Sequence, residues 1–212
     1  LNRHYPNTPI NVNSAITLLK CVLDKQISLI IDWMRVGYIM GVANTDNVTI
    51  SGESIDFGPC AFMNAYDPSS VYSSIDHMGR YCFGNQPVIA HWNISRFAES
   101  LIPLLNNDEK KSIKIAEEII NSFPKNFKFN WIEMMKKKLG FTGMNQSDEK
   151  FIKKILDWMN KNKADYTNTF CYLMNENLNN NEIYKEKLFL DIFDEWNQRI
   201  LLNNISIKSS HK

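Results

Sequence analysis

Residues 41–58 read GVANTDNVTISGESIDFG and lack the helical period that marks most of the chain. Two short runs of strand-forming residues, 48–50 and 54–57, lie on either side of a Ser-Gly pair, which predicts a tight hairpin. Asn47 precedes the first run and Asp56 lies within the second. Because a hairpin folds its two ends together, we expect these two side chains to lie close to one another.

An amide oxygen and a carboxylate held together favour a hard divalent cation such as Mg²⁺, which completes its shell with water and phosphate oxygens. Residues 56–58 read Asp-Phe-Gly, and Asn47 lies nine positions before that tripeptide. Protein kinases bind their metal ions with an Asn and with the Asp of such a tripeptide. The sequence therefore predicts metal binding by Asn47 and Asp56. The alternative is a turn Asn and a strand-end Asp that bind backbone donors.

The kinase pattern fails at position 42, where a kinase has its catalytic Asp and this chain has Val42. Valine cannot accept a proton, so the nearest carboxylate is Asp46, beside Asn47. Asp46 is either a base or a residue that orients Asn47 and water. We expect Asn44 to form hydrogen bonds within the loop only.

Composition excludes several classes of protein. The chain has 24 Lys and Arg against 23 Asp and Glu, so its formal charge of +1 gives no electrostatic case for nucleic-acid binding. No stretch of the sequence has as many consecutive apolar residues as a membrane-spanning helix needs. A hydrophobic share of 44% is enough for a packed core. Four cysteines without metal-ligand spacing indicate a reducing compartment.

Helical periodicity dominates elsewhere. Residues 14–36 form a predicted helix with Ser14 as its N-cap and Gly37 as its end. Further predicted helices cover residues 87–105, 108–122, 128–139, 147–160, 165–175 and 188–202, and residues 59–85 form a long ordered loop. The tryptophans and methionines at helical spacing are expected in the core, namely Trp92, Trp131, Met134, Trp158, Met159 and Trp196. The predicted fold is mainly α with one small β-hairpin.

Several short blocks of sequence are specific enough to indicate a protein family. They read RVGY at 35–38, GVANTDN at 41–47, IDFGP at 55–59, DHMGRY at 76–81 and DYTNTF at 165–170. Together they resemble the selenoprotein O (YdiU) family. That resemblance implies a protein-kinase-like fold, ATP bound in a flipped orientation, and transfer of AMP to Ser, Thr or Tyr hydroxyls of proteins. It also implies Asp46 as proton acceptor and Asn47 and Asp56 as Mg²⁺ ligands, with Asp56 also at the ATP.

Some positions depart from the family pattern. Met40 stands where relatives commonly have His, Ala43 where they have Met, and Tyr72 near a position where many have a redox-active Cys. The phosphate loop, strand Lys and helix Glu of an N-terminal lobe have no counterpart. We therefore expect residues 1–212 to be a single domain, the C-lobe of a kinase-like fold, cut from a longer polypeptide and inactive alone.

Within this C-lobe, residues 1–86 would supply the long helix, catalytic loop, metal hairpin and ordered loop, and residues 87–212 a helical subdomain. In the matched loop, Arg80 either contacts phosphate or substrate or forms an ion pair with Asp67 or Asp76.

The expected function is part of a protein adenylyltransferase that uses ATP and Mg²⁺, with Mn²⁺ as a possible substitute. Its expected partners are ATP and protein substrates, with no nucleic acid and no membrane. The location would be cytoplasmic in a bacterium and mitochondrial in a eukaryote, and the cytoplasm is preferred. The alternatives are a non-catalytic pseudokinase-like scaffold, a truncated lobe or a phosphotransferase.

Overall fold

The computed structural model describes residues 1–8, 13–143, 145–174 and 182–209, with side chains described as far as residue 202. The chain divides into two compact units. The first unit comprises Leu1–Met34, Tyr38–Ala61 and Ser69–Trp131. The second unit comprises Arg35–Gly37, Phe62–Pro68 and Ile132–Lys212. The described residues are mainly helical with one two-stranded sheet, which confirms that part of the predicted fold class.

Helix α1, Ser14–Val36, has the bounds that the sequence predicts. Its N-cap differs from the prediction, because the Asn13 side-chain oxygen accepts the backbone N–H groups of Ala15 and Ile16 at 2.9 and 3.3 Å. Gly37 follows the helix with a φ of +72°, a conformation that favours glycine and ends the helix. The buried face of α1 lies in the core of the first unit.

The sheet does not lie where the sequence places it. Its strands are β1, Tyr38–Met40, and β2, Cys60–Phe62, and the antiparallel pairing continues to a bond from Gly41 N to Pro59 O at 2.7 Å. The predicted strands at 48–50 and 54–57 are wrong, since a single antiparallel bridge joins Val48 and Ser54.

The side chain of Thr49 explains this difference. Its hydroxyl donates to Glu53 O at 2.9 Å and accepts from Glu53 N at 3.1 Å. Side-chain bonds of this kind compete with a regular ladder, so the segment forms a tight turn. The predicted turn itself is present, because Gly52 has a φ of +78° and its N–H donates to Thr49 O.

Three helices follow. They are α2, Gln86–Leu105, α3, Glu109–Ile120, and α4, Phe123–Lys138. Helix α2 packs against α3, which begins after Asp108, whose carboxylate accepts the N–H groups of Lys110 and Lys111. The predicted bounds of α2 and α3 are confirmed within two residues at each end. The predicted start of α4 at residue 128 is wrong, because the helix begins five residues earlier, at Phe123. Trp92 is a correction, because 40% of its surface is exposed and it does not belong to the core.

The second unit contains α5, Asp148–Asn162, α6, Tyr166–Met174, and α7, Lys187–Ser209. Trp158, Tyr184 and Phe189 form an aromatic cluster in its core, as the helical spacing of Trp158 predicts. Arg199 binds both carboxylate oxygens of Asp148, at 2.7 and 3.1 Å. No helix in the described part of the chain is long and apolar enough to cross a membrane.

Candidate active site

The segment between β1 and β2, residues 41–59, carries Asp46, Asn47 and Asp56, and we call it the site loop. All of it lies in the first unit. Asn47 directly precedes the bridge residue Val48, and Asp56 follows the other bridge residue, Ser54, by two positions. Paired residues in an antiparallel bridge have Cβ atoms about 5 Å apart. The bridge thus brings together the two backbone segments that carry the predicted ligands.

Asn47 is half-buried and its side chain is fixed. Its Nδ2 donates to the carbonyl oxygen of Val42 at 2.8 Å, and its backbone N–H donates to Asn44 O at 3.1 Å. The amide nitrogen is therefore occupied by the loop itself. The amide oxygen, which is the atom that a cation binds, lies on the other branch of the side chain.

Asp56 is exposed, and one carboxylate oxygen accepts the backbone N–H of Gly58 at 2.9 Å. This bond is the backbone role that the sequence leaves as the alternative for Asp56. It uses Oδ1 only, and an ionised carboxylate has a second oxygen with its own acceptor sites. The side chain of Phe57 between them is exposed.

Asp46 is exposed on the site loop. Asn44 behaves in part as predicted, since its backbone oxygen accepts the N–H of Asn47. Its side-chain oxygen is buried with no hydrogen-bond partner among the described residues. A buried polar atom without a partner costs free energy, on the order of 1–3 kcal/mol.

The donor set of the site loop suits Mg²⁺. Within the described residues no three side chains drawn from His, Cys, Asp and Glu converge on a common point. A cation between Asn47 and Asp56 would therefore have few protein ligands and would need water and phosphate oxygens. Mg²⁺ is commonly bound in this way, whereas structural Zn²⁺ takes four protein ligands.

Two buried side chains of α2 hold β1 and the start of the site loop. Gln86 donates from Nε2 to Tyr38 O and accepts at Oε1 from Met40 N, both at 3.1 Å. Asn93 donates from Nδ2 to Ala43 O at 2.8 Å. These two α2 residues are seven positions apart, so they lie on one face of the helix.

Sequence reasoning missed both of these side chains. Neither the blocks that resemble the family nor helical periodicity indicates a role for Gln86. A third missed residue is Gln26 of α1, which is buried and donates to Thr49 O at 2.7 Å. A buried polar residue on an otherwise apolar helix face is the one signal that could have identified them.

Met40, one of the departures from the family pattern that the sequence suggests, lies in the core of the first unit. Its side chain is buried, and the hydroxyl of Tyr38 donates to its sulfur at 3.6 Å. Burial and a hydrogen bond with Cys60 raise the pKa of Tyr38, which keeps its hydroxyl neutral. Met40 is thus a packing residue beneath the site loop.

Arg80 has neither of the ion pairs that the sequence leaves open. Both oxygens of Asp76 accept backbone N–H groups, those of Arg80 and Tyr81, each at 2.8 Å. Asp67 forms a salt bridge with Lys163 at 2.9 Å.

Comparison with known proteins gives consistent matches. The family model described as "Protein adenylyltransferase SelO" matches residues 1–206. A protein named "Protein nucleotidyltransferase YdiU" from Pelagibacter ubique is 48% identical over 202 residues, covering 95% of this chain and 42% of that protein. The protein of the same name from Nitrosococcus oceani is 47% identical over 210 residues, covering 99% of this chain and 43% of that protein.

A third relative of that name, from Bacillus mycoides, is 46% identical over 200 residues, covering 94% of this chain and 41% of that protein. The chain thus spans about two-fifths of the length of the curated relatives it matches.

Proposed function

Since this chain belongs to the SelO family of protein adenylyltransferases, we propose that it forms part of an enzyme that transfers AMP from ATP to Ser, Thr or Tyr hydroxyls of proteins. One observation carries the proposal. The site loop supplies an amide oxygen from Asn47 and a carboxylate from Asp56 on two segments joined by the Val48–Ser54 bridge. The fold we propose is the C-lobe of a protein-kinase-like enzyme, with a second lobe outside these residues completing the nucleotide site.

In the proposed site, the amide oxygen of Asn47 and the second carboxylate oxygen of Asp56 would hold Mg²⁺, or Mn²⁺ in its place, at the ATP. A bound cation supplies neutralisation of the charge that develops on the phosphates. The hydrogen bond from Gly58 N–H to Asp56 Oδ1 would remain and would fix the orientation of the carboxylate. The hydrogen bond from Asn47 Nδ2 to Val42 O would likewise remain and would fix the orientation of the side-chain amide.

Asp46 would receive the proton of the attacking hydroxyl. The hydroxyl oxygen forms a bond to the α-phosphorus, the bond from that phosphorus to the bridging oxygen breaks, and pyrophosphate leaves. Asp46 is exposed, so a protein hydroxyl can reach it. If Asp46 instead only orients Asn47 and water, its conversion to Asn would lower the rate without changing its dependence on pH.

Gln86 and Asn93 give the site its rigidity. Their hydrogen bonds to Tyr38 O, Met40 N and Ala43 O fix the backbone that leads to Asp46. Small errors in the position of a catalytic group cost large factors in rate, so a loop tied to a helix core favours catalysis.

We also place this activity in the cytoplasm. The relatives reported above are bacterial. All four cysteines, Cys21, Cys60, Cys82 and Cys171, are thiols, as a reducing compartment favours.

The competing function is a non-catalytic scaffold, which the bond between Asp56 and Gly58 favours because it gives the carboxylate a structural role. Full-length protein incubated with Mg²⁺ and either α-³²P-ATP or γ-³²P-ATP separates the possibilities. If the protein transfers AMP, only α-³²P-ATP labels the protein substrate. If it transfers phosphate, only γ-³²P-ATP labels it. If it is a non-catalytic scaffold, neither nucleotide labels it.

The matched variants are Asp56→Asn, which keeps the shape of the side chain, and Glu53→Gln, which removes an exposed carboxylate from the same loop. We expect Asp56→Asn to lower AMP transfer by a factor of roughly 100 or more. Glu53→Gln should retain the wild-type rate. Wild-type transfer by Asp56→Asn would refute the proposed role of this carboxylate.

A further inference from the structure

Trp92 of α2 carries two arginines on its ring. The guanidinium carbon of Arg80 lies 5.0 Å from the ring centroid, and that of Arg96 lies 5.5 Å from it. Both distances fall within the range of about 6 Å for a cation–π contact. Trp92 is 40% exposed, so this Arg80–Trp92–Arg96 cluster lies at the surface of the first unit.

The cluster has more positive than negative charge. Arg96 pairs with Glu99 at 2.6 Å. The guanidinium of Arg80 has no carboxylate within ion-pair distance among the residues that the structure describes, and both oxygens of Asp76 accept backbone N–H groups. Arginine stays protonated at every physiological pH and presents a fork of donors that matches a carboxylate. The guanidinium of Arg80 can therefore bind an anionic group such as a carboxylate.

Arg80 is also held in place before any anion arrives. Its N–H is bound by Asp76, and its carbonyl oxygen accepts a hydrogen bond from the side-chain amide of Asn85. With its guanidinium stacked on Trp92, the side chain loses little further freedom on binding.

Apolar side chains stand exposed on the same loop. Ile75 is 74% exposed and Met78 is 92% exposed, on either side of His77. Arginine, methionine and aromatic residues are the types enriched at the centres of protein interfaces. The loop thus presents residue types that are common in protein interfaces.

The cluster adjoins the site loop through a cavity of about 440 Å³. Trp92 and Arg96 line one side of it, and Thr45 and Val48 of the site loop line another. Thr45 and Val48 are the immediate chain neighbours of Asp46 and Asn47. A polypeptide anchored in this cavity would lie next to the proposed catalytic loop.

We infer that this surface binds an acidic segment of the protein substrate, with a carboxylate on Arg80 and a neighbouring apolar side chain in the cavity. The inference rests on the proposed function and names the chemical class of its substrate. Charge complementarity and the apolar walls together favour a segment that alternates acidic and apolar residues.

The test measures binding by full-length protein without ATP. Two fluorescein-labelled peptides of equal length carry one Ser each, within either a Glu-Leu or a Lys-Leu repeat. Fluorescence anisotropy should show tighter binding of the acidic peptide.

Arg80→Gln should weaken that binding roughly tenfold, the size of one charge-assisted contact. Lys114→Gln removes an exposed cation from α3 and should change nothing. Arg80→Lys, which keeps the charge and loses the fork, should give an intermediate affinity.

Equal affinity for the two peptides, or unchanged affinity in Arg80→Gln, would overturn the inference. So would an increase in KM for ATP with unchanged peptide affinity, because Arg80 would then serve the nucleotide. Thermal melting checks that Arg80→Gln is folded, and Arg80→Lys decides the matter if it is not. Because anisotropy requires no chemistry, a protein that binds the acidic peptide but transfers no AMP would refute the proposed function and leave this inference standing.

Discussion

Asn93 on α2 donates a hydrogen bond from Nδ2 to the carbonyl oxygen of Ala43, which lies 50 positions earlier in the chain and three before Asp46. The donor residue is 5% exposed and the acceptor is also buried, so water cannot easily replace either group. This bond couples the helical core of the first unit to the loop that carries the proposed catalytic residues.

Replacement of Asn93 by Ala should therefore affect both stability and catalysis. The variant leaves Ala43 O buried without a donor, but it also removes Asn93 Oδ1, which is buried with no hydrogen-bond partner among the described residues. The free energy of unfolding should therefore fall by about 1 kcal/mol, near the lower end of the cost of an unpaired buried group. In the full-length protein, we expect kcat for AMP transfer to fall more than KM for ATP changes. Urea denaturation and steady-state kinetics measure the two effects. Asn130→Ala is the control, since Asn130 bonds only to Asn126 O on an exposed helix face. A wild-type kcat in Asn93→Ala would show that the bond does not position the loop.

Gly41→Ala should destabilise the protein strongly. A Cβ atom at position 41 would lie 2.3 Å from Pro59 O, and a backbone oxygen cannot move away without breaking the pairing that follows the sheet. We expect a loss of more than about 3 kcal/mol, as in severe overpacking. Gly143 is the comparison, because an added Cβ there has no atom within 4 Å and only its φ of +71° opposes the change. Gly143→Ala should cost roughly 1 kcal/mol. Equal melting temperatures for the two variants would contradict this steric argument.

The ion pair between Asp148 and Arg199 should be far more important than an exposed pair. Asp148 and Arg199 are almost completely buried, and Arg199 Nε lies 2.7 Å from the carboxylate. Removing one partner leaves an uncompensated charge, so Asp148→Asn should lower the free energy of unfolding by about 3 kcal/mol or more. Lys153→Gln breaks the exposed pair with Asp157 and should change it by less than about 0.5 kcal/mol. Chemical denaturation of both variants tests the difference.

Lys138 should make the stability of the second unit depend on pH. Burial, with a smaller effect of the Arg35 cation, lowers the pKa of Lys138 to about 8 from its ordinary value of 10.5. Its ammonium lies over the rings of Tyr166 and Phe170 and donates to Arg35 O. Between these two pKa values the unfolded chain binds the proton and the folded chain does not. The free energy of unfolding should therefore rise with pH in that window.

The comparison variant for this pH dependence is Lys138→Met, which cannot titrate. Burial raises the pKa of Tyr66 to about 12 and also raises the pKa of Tyr166, which lowers stability above pH 10 in both proteins. The difference between wild type and Lys138→Met removes this contribution. Denaturation from pH 7.5 to 10 should give a steeper rise in the wild type. Parallel curves would mean that Lys138 keeps an ordinary pKa.

The sequence was sufficient for the helices because their signal is local. Apolar residues at a spacing of three and four in α1 define a buried face, and Gly37 supplies the conformation that ends the helix. The residues proposed for catalysis were selected from the sequence alone, since Asp46, Asn47 and Asp56 lie in short blocks that resemble the SelO family pattern. Their proposed roles stay predictions that the experiments above address.

The strands were misplaced for an equally local reason. The runs at 48–50 and 54–57 have strand-forming composition, but the hydroxyl of Thr49 binds the backbone of Glu53 and closes a turn. Composition cannot distinguish a Thr that packs on a sheet from one that bonds to its own loop.

Tertiary structure alone decided how the site loop is held. Gln86 reaches Tyr38 and Met40 across 48 and 46 positions, and Asn93 reaches Ala43 across 50. It likewise decided that Trp92 faces outward beneath two arginines. The spacing of apolar residues in the sequence indicates which residues of a helix lie on the same face. Which backbone atoms that face meets depends on how distant segments pack, and that information exists only once the chain has folded.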